Sequence, residues 1–366
     1  MHSLFVANIE LNENEGIYKK VVAEASAINA VLGSCDLITR FDGKAKVRYA
    51  DGQTWNGEKT VLDYVKACID EGKVNFLYIR HMIPSPKLIS LLKSAKKRNI
   101  CIYYEIPTYP YFGEQFKASR RKHRAIIKIG LDIIFWPLIY KNIDKLVVIR
   151  SSTKAKEYSK MIEITNGVRV DNIQEKTYTK QEPDIFRMVA VGTLFPYHGC
   201  DRILRGMASC NEKIENIRVE FHVVGSSQTI DDLHRTADTL KLKNVFFHGI
   251  KSTEELNEMY EKFDVGLGCL ALHRRNANID TTLKIIEYYC RGVPVVSSGI
   301  TPMDNINKQF TIHVDDSETP IDISKLYNQY LNISMEEKKD ISKVAKNVFS
   351  WNSIMKKILK DKEKNG

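Results

Sequence analysis

Asp280-Thr-Thr-Leu-Lys-Ile-Ile-Glu287, followed directly by Tyr288-Tyr-Cys-Arg-Gly-Val-Pro-Val-Val296, is the stretch from which the rest of the chain is read. Thr281 or Thr282 can cap a helix, Gly292 can end it, and Pro294 opens a β-rich apolar run, so the segment predicts a helix over 282–291 and a strand over 294–296. A helix returning at once into an apolar strand belongs to an alternating α/β architecture. The first-turn amides near Leu283 and Lys284 then point outward with the positive end of the helix dipole, an arrangement that suits a diphosphate. Lys284 adds a full charge there, and Glu287, one turn further on, is placed to accept hydrogen bonds from a ribose hydroxyl pair.

Upstream lies a second constellation, Val189-Ala-Val-Gly-Thr-Leu-Phe-Pro-Tyr-His-Gly-Cys-Asp-Arg-Ile-Leu204. An apolar strand runs into Gly192 and Thr193, then a loop carrying His198-Gly199, then a helix opening near Asp201. The two glycines let backbone approach a ligand closely, and His198 can donate to a phosphate. Between the two constellations the chain keeps alternating: helix 201–209, strand 219–224, helix 231–240, strand 245–248, helix 253–262 and strand 265–267.

The first half repeats this pattern. Leu4–Ile9 reads as a strand with Gly16 in the loop behind it, and Ile17–Leu32 carries Val21, Val22, Ala25, Ile28 and Val31 at helical spacing. An Asp- and Gly-punctuated stretch from Phe41 to Gly57 suits a β-hairpin, 58–71 and 86–98 suit helices, and Phe76–Ile79, Ile102–Ile106 and Lys145–Ile149 suit strands. Arg80 and Glu105 then fall on loops behind two of these strands, where they can contact sugar or acceptor. The expected plan is two doubly wound Rossmann-like domains, 1–170 and 184–345, joined by a polar linker at 171–183. A helix at 346–366 is expected to pack back toward the first domain. Open parallel sheets bind ligands beyond the carboxyl ends of their strands, so the two sets of loops are expected to face a common cleft.

A chain of 366 residues is longer than one core usually serves, and 43% hydrophobic with 27% charged residues describes a folded rather than a disordered protein. The N-terminus lacks a basic leader before its apolar run, which argues against a signal peptide. The longest apolar stretch, Ala125–Tyr140, is interrupted by Lys128, Asp132 and Pro137 and falls short of the roughly 20 residues a spanning helix needs. Seven scattered cysteines with no C-x-x-C pair read as reduced thiols in a cytoplasm. Residues 1–180 hold 30 Lys and Arg against 19 Asp and Glu, a net +11, while the remainder holds 25 against 26, a net −1. Lys117-Ala-Ser-Arg-Arg-Lys-His-Arg124 leads directly into the amphipathic 125–140 stretch, and together with the basic half it points to an anionic membrane surface as partner. No G-x-G-x-x-G is present, against a dinucleotide oxidoreductase, and no recognisable nucleic-acid module accompanies the basic residues.

In their order along the chain these motifs resemble family 4 glycosyltransferases, above all the bacterial cell-surface polysaccharide enzymes. The resemblance rests on Ile164-Thr-Asn-Gly-Val168, the Gly192 to Arg202 opening, Phe246-Phe-His-Gly-Ile250, Tyr260-x-x-x-Asp264-Val265, and the Lys284/Glu287 helix with Gly292-Val-Pro-Val-Val296 behind it. It is tight over 164–298 and looser before, through Gly16, Tyr78-Ile-Arg80 and Glu105-Ile-Pro-Thr-Tyr-Pro110.

The resemblance implies a GT-B fold and a retaining hexosyl- or N-acetylhexosaminyltransferase. The donor implied is a nucleoside diphosphate sugar, UDP-linked, and the acceptor a glycan or a polyprenyl-diphosphate-linked sugar, in capsule, exopolysaccharide or other surface-polysaccharide synthesis at the inner face of the plasma membrane. Glu287 stands at the family's ribose position, Leu283 and Lys284 at the diphosphate, and Ile250 where backbone meets the base. Gly16, Gly192, Thr193, His198 and Gly199 surround the donor, and Arg80, Glu105 and His198 are nearest the reacting centre. Two departures are visible: the first glutamate of the family's Glu-x7-Glu pair is Ile279, with Asp280 one place off, and the Arg and Lys that often grip phosphate are Thr193 and His198. Neither a metal nor a cofactor is expected, since no Asp-x-Asp ends a strand and the leaving phosphates meet protein charge. Two rival readings are a GT-B-type sugar-nucleotide epimerase, which turns over donor without acceptor, and a basic nucleic-acid-binding protein.

Overall fold

A computed structural model describes residues 2–10, 16–111, 122–179 and 182–363. The chain divides into two compact units, the first made of Met1–Arg150, Lys154–Gly167 and Trp351–Gly366, the second of Ser151–Thr153 and Val168–Ser350.

In the first unit β1 (Ser3–Glu10), β2 (Cys35–Phe41), β3 (Lys44–Arg48), β4 (Thr54–Asn56), β5 (Phe76–Arg80), β6 (Cys101–Tyr109), β7 (Lys145–Arg150) and β8 (Met161–Ile164) form one sheet in the order β4-β3-β2-β1-β5-β6-β7-β8. The β2-β3-β4 edge is antiparallel and the rest parallel. Side chains alternate along β5. Leu77 and Ile79 face a core completed by α2 (Val61–Asp70), α3 (Pro86–Lys97) and α4 (Lys122–Asn142). Phe76 and Tyr78 face the opposite core, completed by α1 (Gly16–Leu32) and the terminal helix Trp351–Glu363. Of the basic run before α4, residues 117–121 lie outside the described residues. No helix among the described residues is long and apolar enough to cross a membrane.

The second unit holds β9 (Ile185–Val191), β10 (Lys213–Ile214), β11 (Ile217–Val224), β12 (Val245–Phe247), β13 (Val265–Leu267), β14 (Val295–Ser297) and β15 (Thr311–His313) in the order β10-β11-β9-β13-β14-β15, with β12 paired to β11. Its helices are α5 (Cys200–Ser209), α6 (Gln228–Thr239), α7 (Thr253–Tyr260), α8 (Leu283–Arg291), α9 (Ile323–Leu331) and α10 (Met335–Phe349). α5, α6 and α9 cover one sheet face and α7, α8 and α10 the other. Strand order reverses between β9 and β13, so a crevice opens beyond the ends of those two strands. Both units are thus doubly wound, as a GT-B fold requires.

Two boundaries differ from expectation. Residues 171–179, expected as linker, are docked on the second unit: the Lys176 amide donates to the Arg291 carbonyl at 2.8 Å, the Thr177 hydroxyl to Glu261 Oε2 at 2.7 Å, and the Tyr178 hydroxyl to the Gly292 carbonyl. Their polarity serves acceptors at the ends of α7 and α8 rather than water. The helix expected at 346–366 is two helices. Ser350, with ψ 139°, breaks the run, leaving α10 in the second unit and sending Trp351, Met355 and Leu359 into the first unit's core against Phe5, Val21 and Ile28.

Candidate functional site

α8 begins at the reversal point of the second sheet. Its N-cap, Thr282, makes no side-chain cap bond, because its hydroxyl donates instead to Asp280 Oδ1 at 2.8 Å. The first-turn amides at Leu283 and Lys284 therefore keep the outward donor character of an uncapped helix end. Asp280 is fully buried, and its other oxygen, Oδ2, accepts from the Cys269 amide at 2.6 Å and the Ser297 hydroxyl at 3.1 Å. This carboxylate does not replace the missing glutamate: protein donors occupy it, and it fixes the loop behind β13 to the start of α8.

Lys284 has a half-buried stem, yet its Nζ is shielded from solvent and has no hydrogen-bond partner among the described residues. Burial pulls its pKa down, and the nearby groups are the Cys269 and Cys200 thiols, Asp280 and Arg275. Burial drives both thiols up, Cys200 to about 11, so neither supplies an anion at neutral pH. Asp280 is held by four protein donors and makes no hydrogen bond to Lys284, which leaves that Nζ with donor capacity for an anion.

The second constellation meets this helix end. The chain leaves β9 at Gly192, whose amide donates to the Val224 carbonyl at 2.8 Å, passes the exposed Thr193, and makes one 3-10 turn over Pro196–His198. Gly199 follows at φ 64° and opens α5; a Cβ there would meet Leu270 and Ala271 atoms at 3.0 Å, so only glycine fits. His198 is 4% exposed. Burial first, then the charges of Lys284 and Arg275, hold its pKa well below the ordinary histidine value. Its Nδ1 accepts the Phe195 amide at 2.8 Å, which puts the neutral ring's proton on Nε2. Expected on a loop as a phosphate donor, it is a buried, oriented, uncharged side chain with its N–H on Nε2.

On the other side, Gly225 donates to the Gly249 carbonyl at 2.8 Å, so the ends of β9, β11 and β12 lie edge to edge. Ile250, 81% exposed, follows Gly249 and borders an open pocket of about 560 Å³ shared with Ser226, His234 and Phe247. Glu287 is half-buried on α8; after burial itself, its charge helps push the Tyr260 hydroxyl up.

Two arginines were missed. Arg275 stacks on the Tyr197 ring at 4.5 Å and adds to the field on His198. Arg274 forks onto Asp201, Nη1 to Oδ1 at 2.8 Å and Nη2 to Oδ2 at 3.0 Å, and donates to the Pro196 carbonyl at 2.7 Å, which ties the His198 turn to the loop behind β13. The His273-Arg-Arg275 run was the available signal.

The remaining expected residues lie in the first unit. Gly16 opens α1. Arg80 and Glu105 are not on loops: they are register partners on β5 and β6, and Arg80 Nη1 donates to both Glu105 oxygens at 3.2 and 3.3 Å. Glu105 is fully buried, and Lys20 Nζ (3.7 Å from Glu105, 3.6 Å from Glu24) completes a cluster with Glu24. Burial and then the Glu105 charge push Glu24 up to about 8. The strand alternation that places Tyr78 toward α1 places Arg80 and Glu105 there too, so their charges neutralise one another beneath that helix.

The fold is of GT-B type, and comparison with known proteins agrees. Residues 171–348 match the family described as glycosyl transferases group 1. No curated protein matches the sequence. Similar solved structures include sucrose-phosphate synthase from Thermosynechococcus elongatus (TM-score 0.63, 14% identity, 100% of this chain and 99% of that one). WaaG, a glycosyltransferase involved in lipopolysaccharide biosynthesis, gives 0.62 and 13%, covering 97% and 99%. The lipopolysaccharide outer core galactosyltransferase WaaB gives 0.58 and 13%, covering 99% and 100%. The second unit is thus similar to the group 1 glycosyl transferase family, and the chain shares its GT-B fold with these structures.

Proposed function

We propose that this chain is a retaining glycosyltransferase that moves a hexosyl or N-acetylhexosaminyl group from a nucleoside diphosphate sugar, UDP-linked, to a glycan or polyprenyl-diphosphate-linked acceptor in surface-polysaccharide synthesis. The observation that carries the reading is the buried, unpartnered Lys284 ammonium at an uncapped helix start, beside the neutral Nε2–H of His198. When the anomeric C–O bond breaks, negative charge collects on the departing diphosphate. Lys284, the Leu283 and Lys284 amides and His198 Nε2 are donors already oriented toward such charge. Glu287 holds the ribose, the Ile250 backbone meets the base, and Gly192, Thr193 and Gly199 let the phosphates approach main chain. The acceptor hydroxyl attacks from the face the diphosphate leaves, and its proton passes to the leaving phosphate, so no protein base is required. In this reading Arg80 and Glu105 stiffen the first sheet and do not touch the sugar.

The test is a thermal-shift screen of nucleoside diphosphate sugars, since a ligand that binds only the native state raises its apparent stability. One donor class should stabilise the protein, and Lys284→Met should abolish that shift. Equal stabilisation of that variant, or no stabilisation of the wild type by any donor, sinks the reading.

A further inference from the structure

α4 carries more apolar surface than its own core uses. It turns Ala125, Asp132 and Ile139 inward, with Phe135 and Trp136 packed against the first unit's core. On the opposite arc Ile126 and Ile127 are each 60% exposed, Ile133 59%, Ile134 69% and Leu138 40%. Residues spaced by seven share a helix side, so these five make one stripe about 18 Å long at 1.5 Å per residue. Scattered exposed aliphatic side chains are ordinary on a protein surface, but four isoleucines and a leucine in one stripe mark an interaction surface.

Charge selects what covers it. His123 and Arg124 are exposed at one end of the stripe and Lys141 at the other. Between Glu114 and Asp144 the sequence holds a single acid, Asp132, and that residue is 5% exposed, with His81 Nε2 at 3.6 Å. A second copy of this chain is a poor cover, because antiparallel two-fold pairing of the stripe sets each Arg124 against the other copy's Lys141. A surface that is apolar below and anionic above matches both parts.

We propose that α4 lies flat on an anionic lipid bilayer, its isoleucines at the boundary of headgroups and acyl chains and its basic ends on lipid phosphates. The docking itself stands on α4 alone; its consequence, that the acceptor is lipid-linked and met at the bilayer, rests on the glycosyltransferase reading.

The experiment is sedimentation of the full chain with vesicles of phosphatidylcholine alone, or with about 30% phosphatidylglycerol. Binding to the anionic vesicles is expected, weaker by about tenfold or more on neutral ones. Ile133→Ser combined with Ile134→Ser should reduce anionic-vesicle partitioning by about tenfold, whereas Met335→Ser, an exposed residue of the second unit, should leave it unchanged. Three results overturn the proposal: a wild type that does not sediment with anionic vesicles, a double variant that sediments as well as wild type, or a lipid-free dimer that the double variant converts to monomer. The donor-induced thermal shift, read on the same variants, separates the two ideas: lost vesicle binding with a retained shift supports α4 docking and leaves the donor site standing.

Discussion

The Phe195 amide donates to His198 Nδ1 at 2.8 Å, and this one bond decides which ring nitrogen faces a ligand as a donor. His198→Gln keeps an N–H near the Nε2 position, and His198→Ala removes it. The alanine variant should lose about 1 to 3 kcal/mol in kcat/KM for donor, and glutamine should restore part of it. Because burial and two cations hold the ring neutral, the kcat/KM profile should show no histidine inflection between about pH 6 and 8. An inflection there that disappears in the glutamine variant contradicts this.

Lys284→Met should do two opposite things. Donor use falls by about a hundredfold or more, through loss of charge at the leaving group. The ligand-free protein becomes more stable by about 1 to 3 kcal/mol, since an unpartnered buried ammonium is replaced by an apolar chain of similar shape. Urea unfolding without donor reads the second effect, and a destabilised variant contradicts it.

Glu287→Ala should cost roughly 2 to 4 kcal/mol in donor use while leaving unfolding nearly unchanged, as the side chain is half-buried on α8. Near-wild-type turnover of donor by this variant removes Glu287 from the ribose position.

Asp280→Asn should act on stability and not on donor recognition. It replaces an acceptor for the Cys269 amide, the Ser297 hydroxyl and Thr282, at a cost of about 1 to 3 kcal/mol. Donor affinity per folded molecule should hold. A large rise in donor Kd with unchanged stability instead makes Asp280 a sugar ligand.

Acid should weaken the second unit through His222. Burial is the main cause of its low pKa, about 4 against an ordinary 6.5; the ring sits between Glu220 Oε2 at 3.3 Å and His248 Nε2 at 2.9 Å. Its folded pKa lies below the unfolded one, so below about pH 6.5 the unfolded chain binds the extra proton first. Stability is then lost as pH falls from about 6.5 toward 4, by about 1 kcal/mol per pH unit. Urea unfolding at stepped pH should show this slope, and His222→Gln should flatten it.

What the sequence disclosed depended on whether the signal was local. The start of α8, its end at Gly292 and the glycine after β9 are set by neighbours in the chain, and caps and apolar runs reveal them. Arg80 and Glu105 illustrate the opposite case: the two strands were legible, but that both residues lie inside them and bond to each other comes from β5–β6 register, which links residues 25 apart. Residues 171–179 read as a linker because they are polar, and only the carbonyls and carboxylate they meet, from 84 to 115 residues away, explain why they dock. Asp280 looked like a displaced ligand by position alone; the donors from Cys269 and Ser297 that occupy it belong to strands and loops brought together by the fold. For α4, the apolar run was plain, whereas which isoleucines the core leaves uncovered was not.

The helix Trp351–Glu363 belongs to the unit whose first strand is Ser3–Glu10, and this has a consequence for synthesis. Phe5, Val21 and Ile28 wait for Trp351, Met355 and Leu359 before their core is closed. On a ribosome the second unit, although made later, has all its strands and core helices emerged before the first unit can be completed. The α1-side core of the first unit is therefore the last to close, and truncation just before Trp351 should leave the amino-terminal half, not the carboxyl-terminal one, short of part of its hydrophobic core.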